Sequence, residues 1–111
     1  MPVEEWPANT YPPMPHGPGY LINLPAAAEI TQLHERKAIK VLRLEDVSMG
    51  VWLDHLKTQL GWTVNYRHSE KFMGSATCRF ENYITHYIKP PRMRCMWEEE
   101  QKDSGRVCTC N

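Results

Sequence analysis

Two adjacent carboxylates, Glu45 and Asp46, are the side chains in this sequence best suited to acid–base chemistry. They follow the apolar residues Val41 and Leu42 and precede an amphipathic run that begins at Val47. A carboxylate at such a boundary can cap a helix, or it can accept a proton from a reacting hydroxyl. The residues alone leave both roles open for Asp46.

A second group of candidate site residues lies upstream, where a proline-rich segment ends in Gly17-Pro18-Gly19-Tyr20. Glycines permit a close backbone approach to a ligand, and an aromatic face can stack on a ring. The alternative interpretation is an ordinary tight turn followed by a core tyrosine.

The elements that would position these residues follow from hydrophobic spacing and from Gly and Pro. The predicted helices cover residues 26–37, 47–60, where Asp46 would be the cap and Gly61 the stop, and 79–87, and a last helix opens at Pro90-Pro91. Strands are predicted at 20–22 and 62–66. Short strands between helices indicate an α/β class, with too few strands for a complete sheet.

Composition restricts the classes of function. The chain has 111 residues, enough for one small domain, with 41% hydrophobic residues. Its 13 basic and 13 acidic residues balance, so nothing in the charge indicates a nucleic-acid partner. No apolar run reaches the length of a membrane span, and no secretory signal opens the chain.

Four cysteines lie in the last third of the chain, at Cys78, Cys95, Cys108 and Cys110. Disulfides are the favoured interpretation, with three pairings possible, and they imply an oxidising compartment. A zinc site is the alternative, but Cys108-x-Cys110 lacks the usual two-residue spacer.

Several short motifs, in this order and spacing, resemble glycosyltransferase family 31, the β-1,3-galactosyltransferase-like enzymes. The motifs that carry the resemblance are Tyr11-Pro12-Pro13, Gly17-Pro18-Gly19-Tyr20, Leu44-Glu45-Asp46-Val47 with Gly50, Tyr66-Arg67-His68-Ser69, His86-Tyr87 and Arg92-Met93-Arg94-Cys95-Met96-Trp97. They are most similar to the plant and green-algal branch, which includes galactosyltransferases that act on hydroxyproline and on arabinogalactan chains. The resemblance identifies residues 1–102 as the carboxy-terminal part of a catalytic domain and 103–111 as a polar, cysteine-bearing tail.

The resemblance implies the carboxy-terminal half of a type A glycosyltransferase fold, Rossmann-like and with an incomplete sheet. It implies an inverting transfer of galactose from UDP-galactose to a glycan or glycoprotein acceptor. Asp46 would be the catalytic base and Glu45 would help to bind the acceptor or orient the base. The wall of the sugar site would be formed by Gly17, Gly19 and Tyr20.

The resemblance also implies a Mn²⁺ cofactor, with His68 as one ligand; His16, His34, His55 and His86 receive no metal assignment. The family's Asp-x-Asp donor motif is absent from this sequence. We therefore expect a fragment that is inactive alone, from an enzyme on the lumenal side of the Golgi membrane, anchored through a missing amino-terminal segment. Alternatives are an N-acetylhexosaminyltransferase of the same family and a non-catalytic, cysteine-stapled binding module.

Overall fold

The structure, a computed structural model, describes residues 6, 8–73, 76–102 and 108–110. The chain divides into two compact units, Met1–Arg67 and His68–Asn111. The first unit contains helices α1 (Leu24–Glu35) and α2 (Glu45–Leu60). The second contains strands β1 (Phe72–Met73) and β2 (Ile84–Thr85) and helix α3 (Pro90–Lys102).

Helix α1 starts where the sequence places a side-chain cap and a proline. The Asn23 side chain accepts a hydrogen bond from the Ala26 N–H at 3.0 Å, and Pro25 lies in the first turn, where its missing N–H costs nothing. The helix ends before Lys37, which adopts a left-handed φ of 58°. The prediction of a helix over 26–37 is confirmed, with both ends two residues earlier.

Helix α2 begins at Glu45, so Glu45 and Asp46 lie inside its first turn. The N-cap is Leu44, which makes no side-chain cap hydrogen bond. The prediction that Asp46 caps a helix starting at Val47 is therefore wrong, because the helix begins earlier and the carboxylates lie beside its positive end. The stop at Gly61 is confirmed: Gly61 has φ 71° and the Trp62 N–H bonds the Leu56 carbonyl.

The core of the first unit lies between the apolar faces of α1 and α2. Its buried residues are Ala26, Ile30 and Leu33 from α1 and Met49, Leu53 and Leu56 from α2. Tyr20, Ile39, Trp52, Trp62 and Val64 pack against this cluster. Complete burial of Leu56 is worth about 1.5–3 kcal/mol, so this cluster holds the two helices together.

Two side chains of α2 fasten the preceding segment to the helix. The buried Ser48 hydroxyl accepts from the Leu42 N–H at 2.9 Å and donates to the Leu42 carbonyl at 3.3 Å. One turn later, the Trp52 indole N–H donates to the Lys40 carbonyl at 2.7 Å. These bonds satisfy backbone groups of residues 40–42 that have no partner strand, and they hold the segment that leads to Glu45 and Asp46 against α2.

The strands predicted at 20–22 and 62–66 are absent from the described residues, and both predictions are wrong. These segments pack on the helices through Tyr20, Trp62 and Val64 without a partner strand. A single extended segment cannot satisfy its backbone as a sheet does, so pattern alone does not make a strand. The fold class, half of a Rossmann-like α/β domain, stays a prediction.

The second unit is built on one short parallel pair and one helix. Strands β1 and β2 pair Phe72 with Ile84 and Met73 with Thr85. The helix predicted over 79–87 is wrong, since this stretch contains a turn at 80–81 and strand β2. The helix opened by Pro90-Pro91 is confirmed as α3.

Helix α3 presents one face to residues 108–110. Arg92 donates to the Cys110 carbonyl at 3.1 Å, Cys95 forms a disulfide with Cys110, and Glu99 accepts from the Thr109 N–H at 3.0 Å. A second disulfide joins Cys78 to Cys108. The disulfide interpretation of the four cysteines is thus confirmed, and both pairings lie within the second unit.

Among the described residues, every helix is either too short or too polar to span a membrane.

Candidate functional site

The candidate site lies in the first unit, where the proline loop, residues 11–19, crosses the first turns of α2. The loop closes with a turn in which the Gly19 N–H donates to the His16 carbonyl at 3.1 Å. Gly17, inside this turn, lies directly against Asp46. Two segments 29 residues apart in the sequence, proposed separately as site residues, are therefore brought together.

The two oxygens of Asp46 have different surroundings. Oδ1 accepts a hydrogen bond from the Val47 N–H at 2.8 Å. Oδ2 faces Gly17: a Cβ on Gly17 would lie 3.0 Å from it. Within the part of the chain that the structure describes, Oδ2 has no hydrogen-bond donor. One oxygen is thus oriented by the backbone while the other remains available, which is what a general base requires.

Tyr20 and Glu45 complete the surroundings of Asp46. Burial raises the pKa of the Tyr20 phenol, and the negative charges of Glu45 and Asp46 raise it further. Tyr20 therefore stays a neutral phenol at physiological pH. Glu45 is exposed and Asp46 half-buried, so the site is open to solvent on the Glu45 side.

Five of the six predicted site residues lie in the first unit, where Gly17 contacts Asp46 and Tyr20 lies near both carboxylates. Glu45, Asp46, Gly17, Gly19 and Tyr20 all belong to the first unit. His68, the predicted metal ligand, begins the second unit and is exposed. Its role stays a prediction.

Two residues of the sequence motifs, which received no role from the sequence, have notable surroundings in the structure. Gly50 lies under the proline loop, in contact with Met14 and Pro13. In the second unit the Nδ1 atom of His86 is buried and has no hydrogen-bond partner among the described residues. The helical spacing of four between Asp46 and Gly50 signals their shared face, whereas the His86-Tyr87 motif does not report the burial of the His86 Nδ1 atom.

Two groups of side chains in the second unit are spaced closely enough to hold a metal ion, as the zinc alternative requires, although the cysteines are paired in disulfides. The Sγ atoms of Cys78, Cys108 and Cys110 lie within 4.8 Å of one another, and so do the ligand atoms of Cys95, Glu99 and Cys110. Because all four thiols are used in disulfides, none is available as a thiolate ligand in this structure.

Comparison with known proteins supports the resemblance read from the motifs. The family model described as galactosyltransferase matches residues 1–63. Hydroxyproline O-galactosyltransferase GALT5 of Arabidopsis thaliana is 39% identical over 112 residues, covering 97% of this chain and 16% of that protein. Beta-1,3-galactosyltransferase GALT1 of the same plant is 33% identical over 105 residues, covering 95% and 16%.

A more distant relative is human beta-1,3-galactosyltransferase 5, 28% identical over 110 residues, which cover 94% of this chain and 34% of that protein. No solved structure matches. The chain spans about 16% of the length of the Arabidopsis relatives it matches. The matched model contains the proline loop, both helices of the first unit and the two carboxylates, and on this basis the chain belongs to the galactosyltransferase family.

Proposed function

We propose that this chain is part of an inverting galactosyltransferase that moves galactose from UDP-galactose to a hydroxyl of a glycan or glycoprotein, in β-1,3 or a related linkage. The observation that carries the proposal is the hydrogen bonding of Asp46: Oδ1 accepts from the Val47 N–H, and Oδ2 lies beside Gly17 without a donor among the described residues. The names of the plant relatives, which include hydroxyproline O-galactosyltransferases, support a hydroxyproline or galactan acceptor.

In this proposal Asp46 is the general base. Its Oδ2 removes the proton of the acceptor hydroxyl while that oxygen bonds to the anomeric carbon of galactose. The bond from that carbon to the diphosphate breaks at the same time, and UDP leaves with the bonding electron pair. Attack from the face opposite UDP inverts the anomeric configuration.

The neighbours of Asp46 would orient the acceptor. Glu45 can accept a hydrogen bond from a second hydroxyl of the sugar. Tyr20 is a neutral phenol at physiological pH, and burial and the two carboxylates raise its pKa further, so it retains a phenolic O–H to donate. Gly17 and Gly19 leave room for a ring to approach the base, because neither carries a side chain.

A divalent metal, Mn²⁺, would neutralise the charge that develops on the diphosphate. Two of the five imidazoles of the chain are candidates for such a site, and imidazole nitrogen is a suitable first-row metal ligand. His68 was predicted from sequence and is exposed, whereas His86 has a buried Nδ1 atom without a partner among the described residues. The unpaired nitrogen makes His86 a second candidate beside His68.

We propose that catalysis needs the longer protein. The sequence contains no Asp-x-Asp motif, and one histidine does not make a metal site. A Golgi location, on the lumenal side, and a membrane anchor outside this chain are part of the same proposal. The two disulfides favour an oxidising compartment such as this one.

The test is a transfer assay on a full-length transferase that contains this chain. UDP-galactose and UDP-N-acetylglucosamine are offered in parallel, each with a hydroxyproline peptide and with a β-galactoside. Galactose transfer with an inverted linkage, resolved by NMR of the product, is expected. Exclusive use of the N-acetylhexosamine donor would favour the alternative enzyme, and no transfer with either donor would favour a binding module.

A further inference from the structure

The contact between the proline loop and α2 is tightest at a residue to which no role has been given. A Cβ on Gly50 would lie 2.7 Å from the Met14 Cβ, 2.9 Å from the Met14 Cα and 2.9 Å from the Pro13 carbonyl oxygen. Two of these three atoms belong to the backbone, so rotating a side chain cannot relieve the overlap. Any side chain at Gly50 must push the loop backbone away from the helix.

The same loop meets the same helix face again at Asp46. Gly50 and Asp46 are four residues apart on α2, so they project from one face of the helix, about 6 Å apart along its axis. Pro13 and Met14 lie over Gly50, and Gly17 lies over Asp46. The loop therefore runs antiparallel to the helix and touches it at two points.

These two contacts are mechanically linked by the composition of the loop. Pro13 at the first contact and Pro15 between the two contacts each have a backbone φ fixed near −65°, which reduces the freedom of this short segment to absorb a displacement. A shift at Met14 should therefore be passed on to Gly17 and change its distance from the Asp46 carboxylate.

We infer that Gly50 is a positioning residue: its bare Cα lets the proline loop lie directly on α2 and so sets the width of the opening through which an acceptor hydroxyl reaches Asp46 Oδ2. This inference rests on the proposed role of Asp46 as base. Acceptor binding, rather than donor binding, would then depend on the contact between Gly50 and the proline loop. A displacement near 1 Å at a reacting group can cost about a hundredfold in rate, so the effect should be measurable.

The test is Gly50→Ala in the full-length transferase, with Gln59→Ala, an exposed residue of the same helix, as the control. We expect kcat/KM for the acceptor to fall about 10- to 100-fold while the KM for UDP-galactose changes less than about twofold. Gln59→Ala should leave both parameters unchanged. An equal loss of kcat/KM for the acceptor and for UDP-galactose would contradict a role confined to acceptor binding.

A second readout does not depend on activity. The pKa of Tyr20, which follows the loop and lies near Glu45 and Asp46, is followed in the 111-residue chain by NMR of its ζ-carbon. Displacing the loop should reduce the burial of Tyr20 and lower its pKa toward the ordinary value of 10.0. If both the Tyr20 pKa and the acceptor kcat/KM keep their wild-type values in Gly50→Ala, the inference is wrong while the proposed function stands.

Gly17→Ala provides the second variant in case Gly50→Ala does not fold. Gly17 is exposed, and its added methyl would meet only the Asp46 side chain, so the fold should be kept. We expect acceptor kcat/KM to fall about tenfold or more, because the methyl stands before Oδ2. Unchanged acceptor kinetics in this variant would show that the opening beside Gly17 is not the acceptor's route, which would also overturn the inference.

Discussion

Tyr20 reports on the electrostatics of the site at the scale of a single residue. Burial, then the charge of Glu45, then that of Asp46 raise its pKa above 10.0. Tyr66 has a raised pKa for a parallel reason, burial and the charge of Asp54. The two tyrosines therefore provide probes for two separate groups of carboxylates in the first unit, Glu45 with Asp46 and Asp54 alone.

We predict that Glu45→Gln lowers the pKa of Tyr20 and leaves that of Tyr66 unchanged, whereas Asp54→Asn does the reverse. Removing a nearby negative charge makes phenolate formation easier, so each pKa moves down toward 10.0. Tyrosine ζ-carbon NMR across pH 8–12 measures both pKa values at once. A drop at both tyrosines in either variant would mean that the carboxylates act through a change in fold.

The raised pKa of Tyr20 also determines the direction in which the stability of the fold changes with pH. The pKa of Tyr20 is higher in the folded chain than in the unfolded chain, so the folded chain holds this proton more tightly. The stability that the neutral phenol contributes is fully present below pH 10 and is lost as the pH rises through the folded-state pKa. We predict that Tyr20→Phe removes this contribution, so its free energy of unfolding, measured with urea, should fall less than that of the wild type as the pH rises above 10.

At the scale of elements, the hydroxyl of Ser48 joins the 40–42 segment to α2. We predict that Ser48→Ala costs about 1–3 kcal/mol of unfolding free energy, because the Leu42 N–H and carbonyl lose a buried partner. Thr58→Ala is the control, since the Thr58 hydroxyl bonds the Asp54 carbonyl on the exposed side of the same helix. Urea denaturation should give a change within about 0.5 kcal/mol for the control; equal losses in the two variants would rule out a special role for Ser48.

The cysteine cluster gives a second prediction at this scale. Cys110 lies near Cys78 and Cys108 as well as its partner Cys95. In Cys95→Ser the freed Cys110 thiolate can attack the Cys78–Cys108 disulfide, forming a new bond to one sulfur and releasing the other as a thiolate. We predict a mixture of pairings in this variant.

The control for this exchange is Cys110→Ser, which frees Cys95 instead. Cys95 belongs to no three-sulfur group with Cys78, so the Cys78–Cys108 disulfide should stay intact. Peptide mapping without reduction at pH 8 distinguishes the two variants. A single, native disulfide in both would show that Cys110 does not reach the neighbouring pair.

The sequence predicted those features of the elements that are determined by residues close together in the chain. Pro25, Gly61 and Pro90-Pro91 mark helix ends through local backbone effects, and those ends were predicted to within two residues, whereas the Asn23 cap was not predicted. The strands at 20–22 and 62–66 failed because pairing needs a partner that local spacing does not report. The motif resemblance named Gly17 and Asp46 as site residues, but their contact and the tight fit at Gly50 required coordinates.

At the scale of the whole molecule, the manganese dependence of activity can show which of the two histidines of the second unit, His68 or His86, is a metal ligand. If His86 supplies a ligand through its buried nitrogen, His86→Ala in the full-length transferase should raise the Mn²⁺ concentration for half-maximal rate about tenfold or more. If the predicted ligand His68 serves instead, His68→Ala should show that rise. Manganese titration of the two variants, with thermal melting as the check on folding, separates them; unchanged manganese dependence in both would exclude either histidine as a ligand.

The galactosyltransferase match extends over residues 1–63, while the plant relatives align over nearly the whole chain, including the disulfide-bonded second unit. Since the chain spans about 16% of those relatives, we predict that the 111-residue chain alone transfers no galactose. Turnover of a nucleotide sugar by the isolated chain would contradict the proposal that the donor site lies elsewhere in a longer protein.

The central claim, that Asp46 is the base, is tested most directly by Asp46→Asn in the full-length transferase. The amide keeps the size of the side chain, and its oxygen can still accept from the Val47 N–H, but it cannot take a proton. We predict a fall in kcat of about a hundred- to ten-thousandfold, with thermal stability and the KM for UDP-galactose little changed. Near-normal kcat in a folded Asp46→Asn enzyme would contradict the account and leave Asp46 as a first-turn carboxylate of α2.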